Sequence, residues 1–200
     1  MKLIPIIVLL GLLSACSLVP EAENTVLYQL PESRLESSQQ TIDRTLQVMT
    51  IDSSDALNNR RLLVSDDGAA LQALPGARWV SPTRTMVRDR LLESFAADGR
   101  IARLISDQAS LRGDLELHGA LRNFEGDFSA DQPAAYLRLD ASLADGTTRK
   151  ILASRQFKIK VISDSKNAED MVRAFATATD QLALEVLNWI ATTASKPEPE

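Results

Sequence analysis

Few residues in this 200-residue chain are of types that carry out chemistry. It contains one histidine, His118, and one cysteine, Cys16. Two such ligands are too few for a typical zinc site, and any Ser-His or Cys-His pair would have to use His118. Neither of the glycine-rich loops that cradle phosphates, G-x-x-x-x-G-K-[S/T] and G-x-G-x-x-G, occurs in the sequence. We therefore expect no cofactor, no metal and no catalytic residue, and hydrolysis ranks last among the functions considered.

The N-terminus carries the clearest motif. Lys2 is followed by an uncharged stretch, residues 3–15, which ends in Leu13-Ser14-Ala15 before Cys16. As a helix this stretch would be roughly 20 Å long, short of the ~30 Å hydrocarbon core, which indicates a signal peptide over residues 1–15. Its last residues resemble the bacterial lipobox, in which the cysteine thiol receives a diacylglycerol and the peptide is cut before it. The alternative is an ordinary signal peptide followed by a chance cysteine.

Lipidation of Cys16 would fix the location of the mature chain. Two or more acyl chains give a stable anchor on a membrane without crossing it. Ser17 follows the cysteine, whereas lipoproteins retained at the inner membrane tend to have Asp there. The resemblance to the lipobox thus implies the outer membrane, with the chain facing the periplasm.

Composition limits the partners. Without the signal peptide, 21 basic and 27 acidic residues leave a net charge of −6. Aromatic residues make up only 4%, so neither a basic field nor a stacking surface is present for nucleic acid. The 44% of hydrophobic residues suffices for a globular core.

The mature chain divides into three parts. Residues 16–40 are polar and irregular, and we expect a lipidated N-terminus followed by a flexible tether. One apolar island in it, residues 26–30, could form a short edge strand. We expect the folded domain over residues 41–191 and a disordered tail over residues 192–200.

Apolar periodicity predicts the elements of the domain. Asp66-Asp67-Gly68 indicates a hairpin turn rather than a calcium loop. A helix capped by Ser81 and ended by Gly99 comes next, then a meander of strands with one apolar side, and a last helix opened by Asn167. The sequence predicts an α/β fold class, and within it an α+β sandwich. In this architecture two main helices pack against a mixed, largely antiparallel sheet.

The order of these features resembles a known family. After the lipobox come Tyr28-Gln29-Leu30, then Arg78-Trp79-Val80-Ser81-Pro82 entering a helix, and finally a closing helix with Trp189. Over roughly residues 26–189 the chain resembles the ABC-type transport auxiliary lipoprotein family, which includes PqiC-like outer-membrane lipoproteins. The resemblance implies a periplasm-facing protein that accompanies ABC transporter ATPase and permease subunits and an MCE-domain protein in moving lipids between membranes. The chain could also assemble with further copies of itself into a homo-oligomer.

Several polar or aromatic residues have two interpretations. Arg78 and Trp79 are our candidate partner surface, although Trp79 could instead pack under the helix N-terminus. His118 should lie on the polar side of a strand, and Glu125, Asp127 and Asp131 should form a solvated loop rather than a metal site. The basic stretch from Lys150 to Lys160 either guards an edge strand or meets an acidic partner or lipid headgroups.

We therefore expect a membrane-anchored, non-catalytic accessory subunit of an ABC/MCE-type intermembrane lipid transport system. The alternative is an envelope lipoprotein that binds and regulates a cell-wall synthase or another envelope assembly machine.

Overall fold

The structure is a computed structural model that describes residues 24–109 and 111–195. Cys16 and the signal peptide lie outside the described residues, as does the tail after residue 195. The described residues form nine strands and two helices. Their bounds are β1 (Val26–Tyr28), β2 (Ile42–Val48), β3 (Asp52–Ser53), β4 (Arg61–Ser65), β5 (Gln72–Trp79), α1 (Thr83–Asp98), β6 (Ile101–Ser106), β7 (Leu115–Asp127), β8 (Ala134–Asp145), β9 (Ile151–Ile162) and α2 (Ala168–Ala194).

Strand β7 organises the sheet, because both of its edges are paired. Along one edge it pairs antiparallel with β8, from Leu115–Asp145 to Asp127–Ala134. Along the other edge β2, β3 and β4 pair with it in turn, all of them parallel. The remaining strands complete the sheet: β9 pairs with β8, β6 pairs with β2, β5 pairs with β4, and β1 pairs with β5. The predicted mixed sheet is confirmed, with its longest ladders antiparallel.

Local sequence explains most of the turns and helix ends. The β4–β5 hairpin forms as predicted, with Gly68 at φ 73° and the Asp67 carboxylate accepting from the backbone N–H groups of Ala69 and Ala70. Helix α1 ends at Gly99, whose φ is also 73°. Helix α2 begins at Asn167, whose side chain accepts a hydrogen bond from the Asp170 N–H.

The predicted cap at Ser81 is wrong. Pro82 occupies the cap position in an extended conformation, and no side chain caps the helix. Instead, the backbone N–H and the hydroxyl of Thr83 both donate to the carbonyl of Asn59. A distant backbone oxygen thus satisfies one of the free donors at the helix start.

Both helices pack on one side of the sheet and against each other. Between them and the strands lies an aromatic cluster of Trp79, Phe124 and Phe175, with the last two rings stacked 4.6 Å apart. Trp189 packs edge-on against Phe157 at 5.7 Å, which confirms its core position. Among the described residues, no helix is long and apolar enough to cross a membrane.

The second half of the predicted tether is part of the fold, which corrects the boundary at Thr41. The island at residues 26–28 forms β1 beside β5, and residues 31–38, the strap, run across the helices. The strap is held by Asp180, which accepts from the Ser33 hydroxyl at 2.9 Å and from the Arg34 N–H at 3.0 Å. Arg90 also donates to the Pro31 carbonyl. These hydrogen bonds cannot be predicted from the polar composition of residues 31–38, because their partners lie far away in the sequence.

Candidate docking surface

The side of β7, β8 and β9 that faces away from the helices is our candidate site, and we call it the open face. Residues alternate strictly here: Leu137 and Leu139 are buried towards the helices, while Arg138 and Asp140 point outwards and are partly exposed. The open face carries polar side chains from all three strands. They include Glu116, His118, Arg122, Asp140, Ser142, Ser154 and Gln156.

Polar side chains of the open face pair across the strands. Asp140 accepts from the Gln156 amide at 2.9 Å and from the Arg122 Nε at 2.8 Å. These two hydrogen bonds, the one from Gln156 first, lower the pKa of Asp140. One row further along, the hydroxyls of Ser142 and Ser154 are 2.8 Å apart. This part of the face therefore presents fixed, internally paired hydrogen-bonding groups.

His118 lies exposed on the open face, as predicted. Its Nε2 is 3.1 Å from a carboxylate oxygen of Glu116. Ser142 stands directly opposite it on β8, yet in the described part of the chain no hydrogen bond joins the two side chains. The geometry shown here thus lacks the nucleophile–base contact on which Ser-His chemistry depends.

A shallow groove of about 480 Å³ runs over the middle of the open face. Its walls are formed by Asp52, His118, Arg122, Asp140 and Gln156, among others. The charged and polar side chains in its walls can form further hydrogen bonds with a partner protein at such a solvent-open surface.

The three acidic residues near Gly126 do not form the solvated loop that we predicted. Glu125 and Asp127 are the last outward residues of β7, and only Asp131 lies beyond the strand. Burial raises the pKa of Glu125 even though Asn123 donates a hydrogen bond to it. Hydrogen bonds from Lys160 and Ser129 lower the pKa of Asp127 to about 2. The described residues contain no group of three or more metal-ligating side chains.

The basic stretch lies on an edge strand, since in residues 24–109 and 111–195 the only strand paired with β9 is β8. Lys158 and Lys160 extend from the open face, and Lys160 contacts Asp127 at 2.7 Å. Arg155 belongs to the other side, because its guanidinium lies over the Phe157 ring and 3.9 Å from Glu185. The strand therefore offers two lysines, rather than four basic residues, to a partner of the open face.

The two residues of the predicted partner surface are separated by the fold. Trp79 is only 1% exposed and makes edge contacts with Phe124 and Phe175 at 5.9 and 5.5 Å. The core position of Trp79 is thus correct, and it cannot serve as an exposed anchor. Arg78 is exposed, because neighbouring residues in a strand point to opposite sides. Cys16 lies outside the described residues.

Comparisons with known proteins place this geometry in context. A family model described as ABC-type transport auxiliary lipoprotein component matches residues 28–186. The crystal structure of a Xanthomonas campestris protein superimposes with a TM-score of 0.78 and 26% identity, covering 84% of this chain and 96% of that one. Comparison with curated proteins gave no significant match.

Two more distant structures share the fold. PelC from Paraburkholderia phytofirmans, described as a dodecamer, is 11% identical with a TM-score of 0.50, and the alignment covers 82% of this chain and 96% of that one. A hypothetical protein of Chlamydia trachomatis is 8% identical with a TM-score of 0.54 over 76% of this chain and 98% of that one. At these identities the likeness concerns the fold alone.

Proposed function

Because the chain belongs to the ABC-type transport auxiliary lipoprotein component family, we propose that it is a non-catalytic accessory subunit of an ABC/MCE-type intermembrane lipid transport system. The observation that carries this proposal is the family match over residues 28–186, which spans the sheet and most of both helices. Its proposed partners are an MCE-domain protein and the ATPase and permease subunits of the transporter.

The anchor is the second part of the proposal. Cys16 would receive the lipid and would hold the chain on the periplasmic side of the outer membrane, as the small residues before it and Ser17 after it indicate. An anchored chain searches for its partner in two dimensions, at a fixed distance from the membrane. Such a subunit needs a rigid recognition surface and no reactive group of its own.

The open face is the proposed recognition surface. Its paired side chains are already oriented, so little conformational entropy is lost when a partner binds. The groove is shallow and open and carries charged side chains such as Arg122 and Asp140, which favours a protein partner over the transported lipid. In this proposal the chain acts by docking, and lipid passes through other subunits.

The proposal is tested by purifying the natively anchored protein from membranes after mild crosslinking and identifying what accompanies it. We expect MCE-domain, ATPase and permease subunits, and we expect Cys16→Ser to lose them together with the lipid. Ser17→Ala is the matched control, since it keeps the thiol. Recovery of cell-wall synthases in place of transporter subunits would contradict the transport role and support the alternative stated above.

Self-association also belongs to the proposal. PelC, which shares the fold, is described as a dodecamer, and the unpaired edge of β9 gives this chain a strand that a second copy could meet. Native mass spectrometry of the lipidated protein in detergent measures the number of subunits directly. We expect a closed oligomer, and a monomer at every concentration would contradict this part of the proposal.

A further inference from the structure

A row of exposed side chains crosses the three strands nearest to the N-terminus. Leu27 of β1 is in register with Arg78 of β5, and Arg78 is in register with Arg61 of β4. Residues in register on paired strands point to the same side of a sheet. We call Leu27, Arg78 and Arg61 the arginine row.

The two arginines of this row lack a counter-charge. Neither guanidinium has a carboxylate or a hydrogen-bond acceptor as partner in the described part of the chain. Like charges directly opposite each other on paired strands are destabilising. Elsewhere on the strands, Arg103, Arg122 and Lys160 each pair with an aspartate at 2.9, 2.8 and 2.7 Å. The arginine row therefore retains a positive charge that the fold does not neutralise, on a chain whose net charge is negative.

Apolar side chains are exposed around the same row. Leu27 is 55% exposed and Val26 is 51% exposed. Val80, which follows β5 and donates its N–H to the Tyr28 carbonyl, is also exposed. Exposed aliphatic side chains beside unpaired arginines form a combination that suits the boundary between phosphate headgroups and acyl chains.

The covalent distance to the proposed anchor is short. Val26 is the tenth residue after Cys16, so at most about 36 Å can separate the two along a fully extended chain. This linker carries Glu21 and Glu23 and no basic residue. The linker therefore supplies no positive charge for an anionic membrane, whereas the arginine row, close to it in the fold, does.

We propose that the arginine row rests on the membrane that holds the lipid of Cys16. The planar guanidinium groups of Arg61 and Arg78 bind phosphates of anionic phospholipid headgroups, for which their paired donors are well matched. Leu27, on the same side of the sheet, enters the interfacial region beside them. This contact turns β1, β5 and β4 towards the membrane and fixes the orientation of the whole sheet. The inference rests on lipidation of Cys16 from the proposed function.

The test uses the full lipidated chain in vesicles. Once Cys16 carries a lipid, Leu27→Cys introduces the only free thiol of the chain, and it can be labelled with an environment-sensitive fluorophore. Lys158→Cys on β9, at the opposite end of the strand order, is the matched control. The vesicles are a two-to-one mixture of phosphatidylcholine and phosphatidylglycerol, or phosphatidylcholine alone, with brominated lipid as the quencher.

We expect brominated lipid to quench the label at position 27 and not the label at position 158. Adding Arg61→Gln and Arg78→Gln should lower the equilibrium constant for contact about 25-fold, since each basic residue near an anionic surface contributes about a five-fold effect. Replacing Lys158 and Lys160 by Gln removes the same charge and should leave the quenching unchanged. In vesicles without phosphatidylglycerol, quenching at position 27 should fall as much as it does in the arginine variants.

Three results would overturn the inference. They are equal quenching at the two positions, quenching at position 27 that persists in the arginine variants, and quenching that depends on protein density rather than on lipid charge. The last result would assign the row to contact with a second copy of the chain. The mass of the N-terminal peptide reports lipidation of Cys16 independently, so failure of the anchor is distinguished from failure of the membrane contact.

Discussion

The two sides of the same sheet are built in opposite ways. On β8, Leu137 and Leu139 point to the helices and are fully enclosed, whereas Arg138 and Asp140 on the other side remain partly exposed. The side that faces the helices, which we call the covered side, packs against them through an apolar core with the aromatic cluster at its centre. The open face joins strands only to each other, through pairs such as Arg122–Asp140.

With the open face as the proposed recognition surface, stability and recognition depend on different side chains of the same strands. Buried apolar side chains contribute to folding in proportion to the area they remove from water. Exposed ion pairs contribute at most about 1 kcal/mol each. Substitutions on the covered side should therefore change the free energy of unfolding strongly, while the open face can be altered at little cost to the fold.

The largest effect is expected for Trp79→Ala. Its buried indole packs edge-on against both Phe124 and Phe175, so truncation should lower the free energy of unfolding by about 3–5 kcal/mol. Chemical denaturation followed by circular dichroism measures this change. Arg78→Ala, one residue earlier on the opposite side, is the control and should change stability by less than about 0.5 kcal/mol. Similar effects of the two variants would contradict the division between the sides.

A large effect is also expected where the strap meets the helices. The Arg90 side chain is 2% exposed and its Nε is 3.0 Å from Asp180. Asp180→Ala leaves this buried charge without its main partner, so we expect a loss of about 3 kcal/mol. The strap should also loosen, which trypsin cleavage after Arg34 would detect. Asp89→Ala is the control, because Asp89 is an exposed carboxylate of the same helix as Arg90 that pairs with Arg88 and not with the strap. Equal losses in the two variants would contradict the role of the Asp180 contact.

A smaller, pH-dependent effect is expected on the open face at Asp127. Its pKa is lowered from 3.8 to about 2, so its ionised form stabilises the fold above pH 4, and this contribution is lost as the pH falls towards 2. Asp127→Asn should cost about 1 kcal/mol at neutral pH, less than a fully buried pair, because the side chain is 22% exposed.

Urea denaturation at a series of pH values tests this prediction. The difference between the wild type and Asp127→Asn should close between pH 4 and pH 2. Asp131→Asn, on the exposed loop after β7, should not differ from the wild type at any pH. If the difference in unfolding free energy between the wild type and Asp127→Asn stayed constant below pH 3, the Lys160 contact would not be stabilising the ionised carboxylate.

The smallest effect is expected for Gln156→Ala. Among the residues that the structure describes, its amide donates to Asp140 alone, on the open face, so we expect a change of less than about 0.5 kcal/mol. The next residue provides the sharpest comparison, since Phe157 is buried on the covered side and Phe157→Ala should cost about 3–5 kcal/mol. Thermal melts of the two variants compare the two sides of one strand. A loss of stability in Gln156→Ala as large as that in Phe157→Ala would contradict the prediction.

Sequence periodicity was sufficient for the elements that the helices cover. The alternation in residues 115–121 and 137–143 predicts β7 and β8, and Asn167 predicts the start of α2, because local propensity and burial agree there. The parallel pairing of β2, β3 and β4 with one edge of β7 could not be predicted in this way. It depends on long-range register, which leaves no local signal.

The candidate site was predictable only in part. Polar residues on the outward side of each strand indicated a solvent-facing side, but the pairs Arg122–Asp140 and Asp140–Gln156 follow from cross-strand register. The polar composition of the strap predicts a tether, whereas its bonds join it to Arg90 and Asp180, which lie far along the chain. Arg78 and Trp79 are neighbours in sequence, but strand geometry sends them to opposite sides.

The central claim is that the open face, and not the helix layer, meets the partner. The most direct measurement is photo-crosslinking in cells, with a photoreactive amino acid at Gln156 on the open face or at Leu184, which is exposed on α2. We predict that Gln156 crosslinks to transporter or MCE-domain subunits and that Leu184 does not. Crosslinks to these subunits from Leu184, with none from Gln156 in a protein that is lipidated and folded, would contradict this claim.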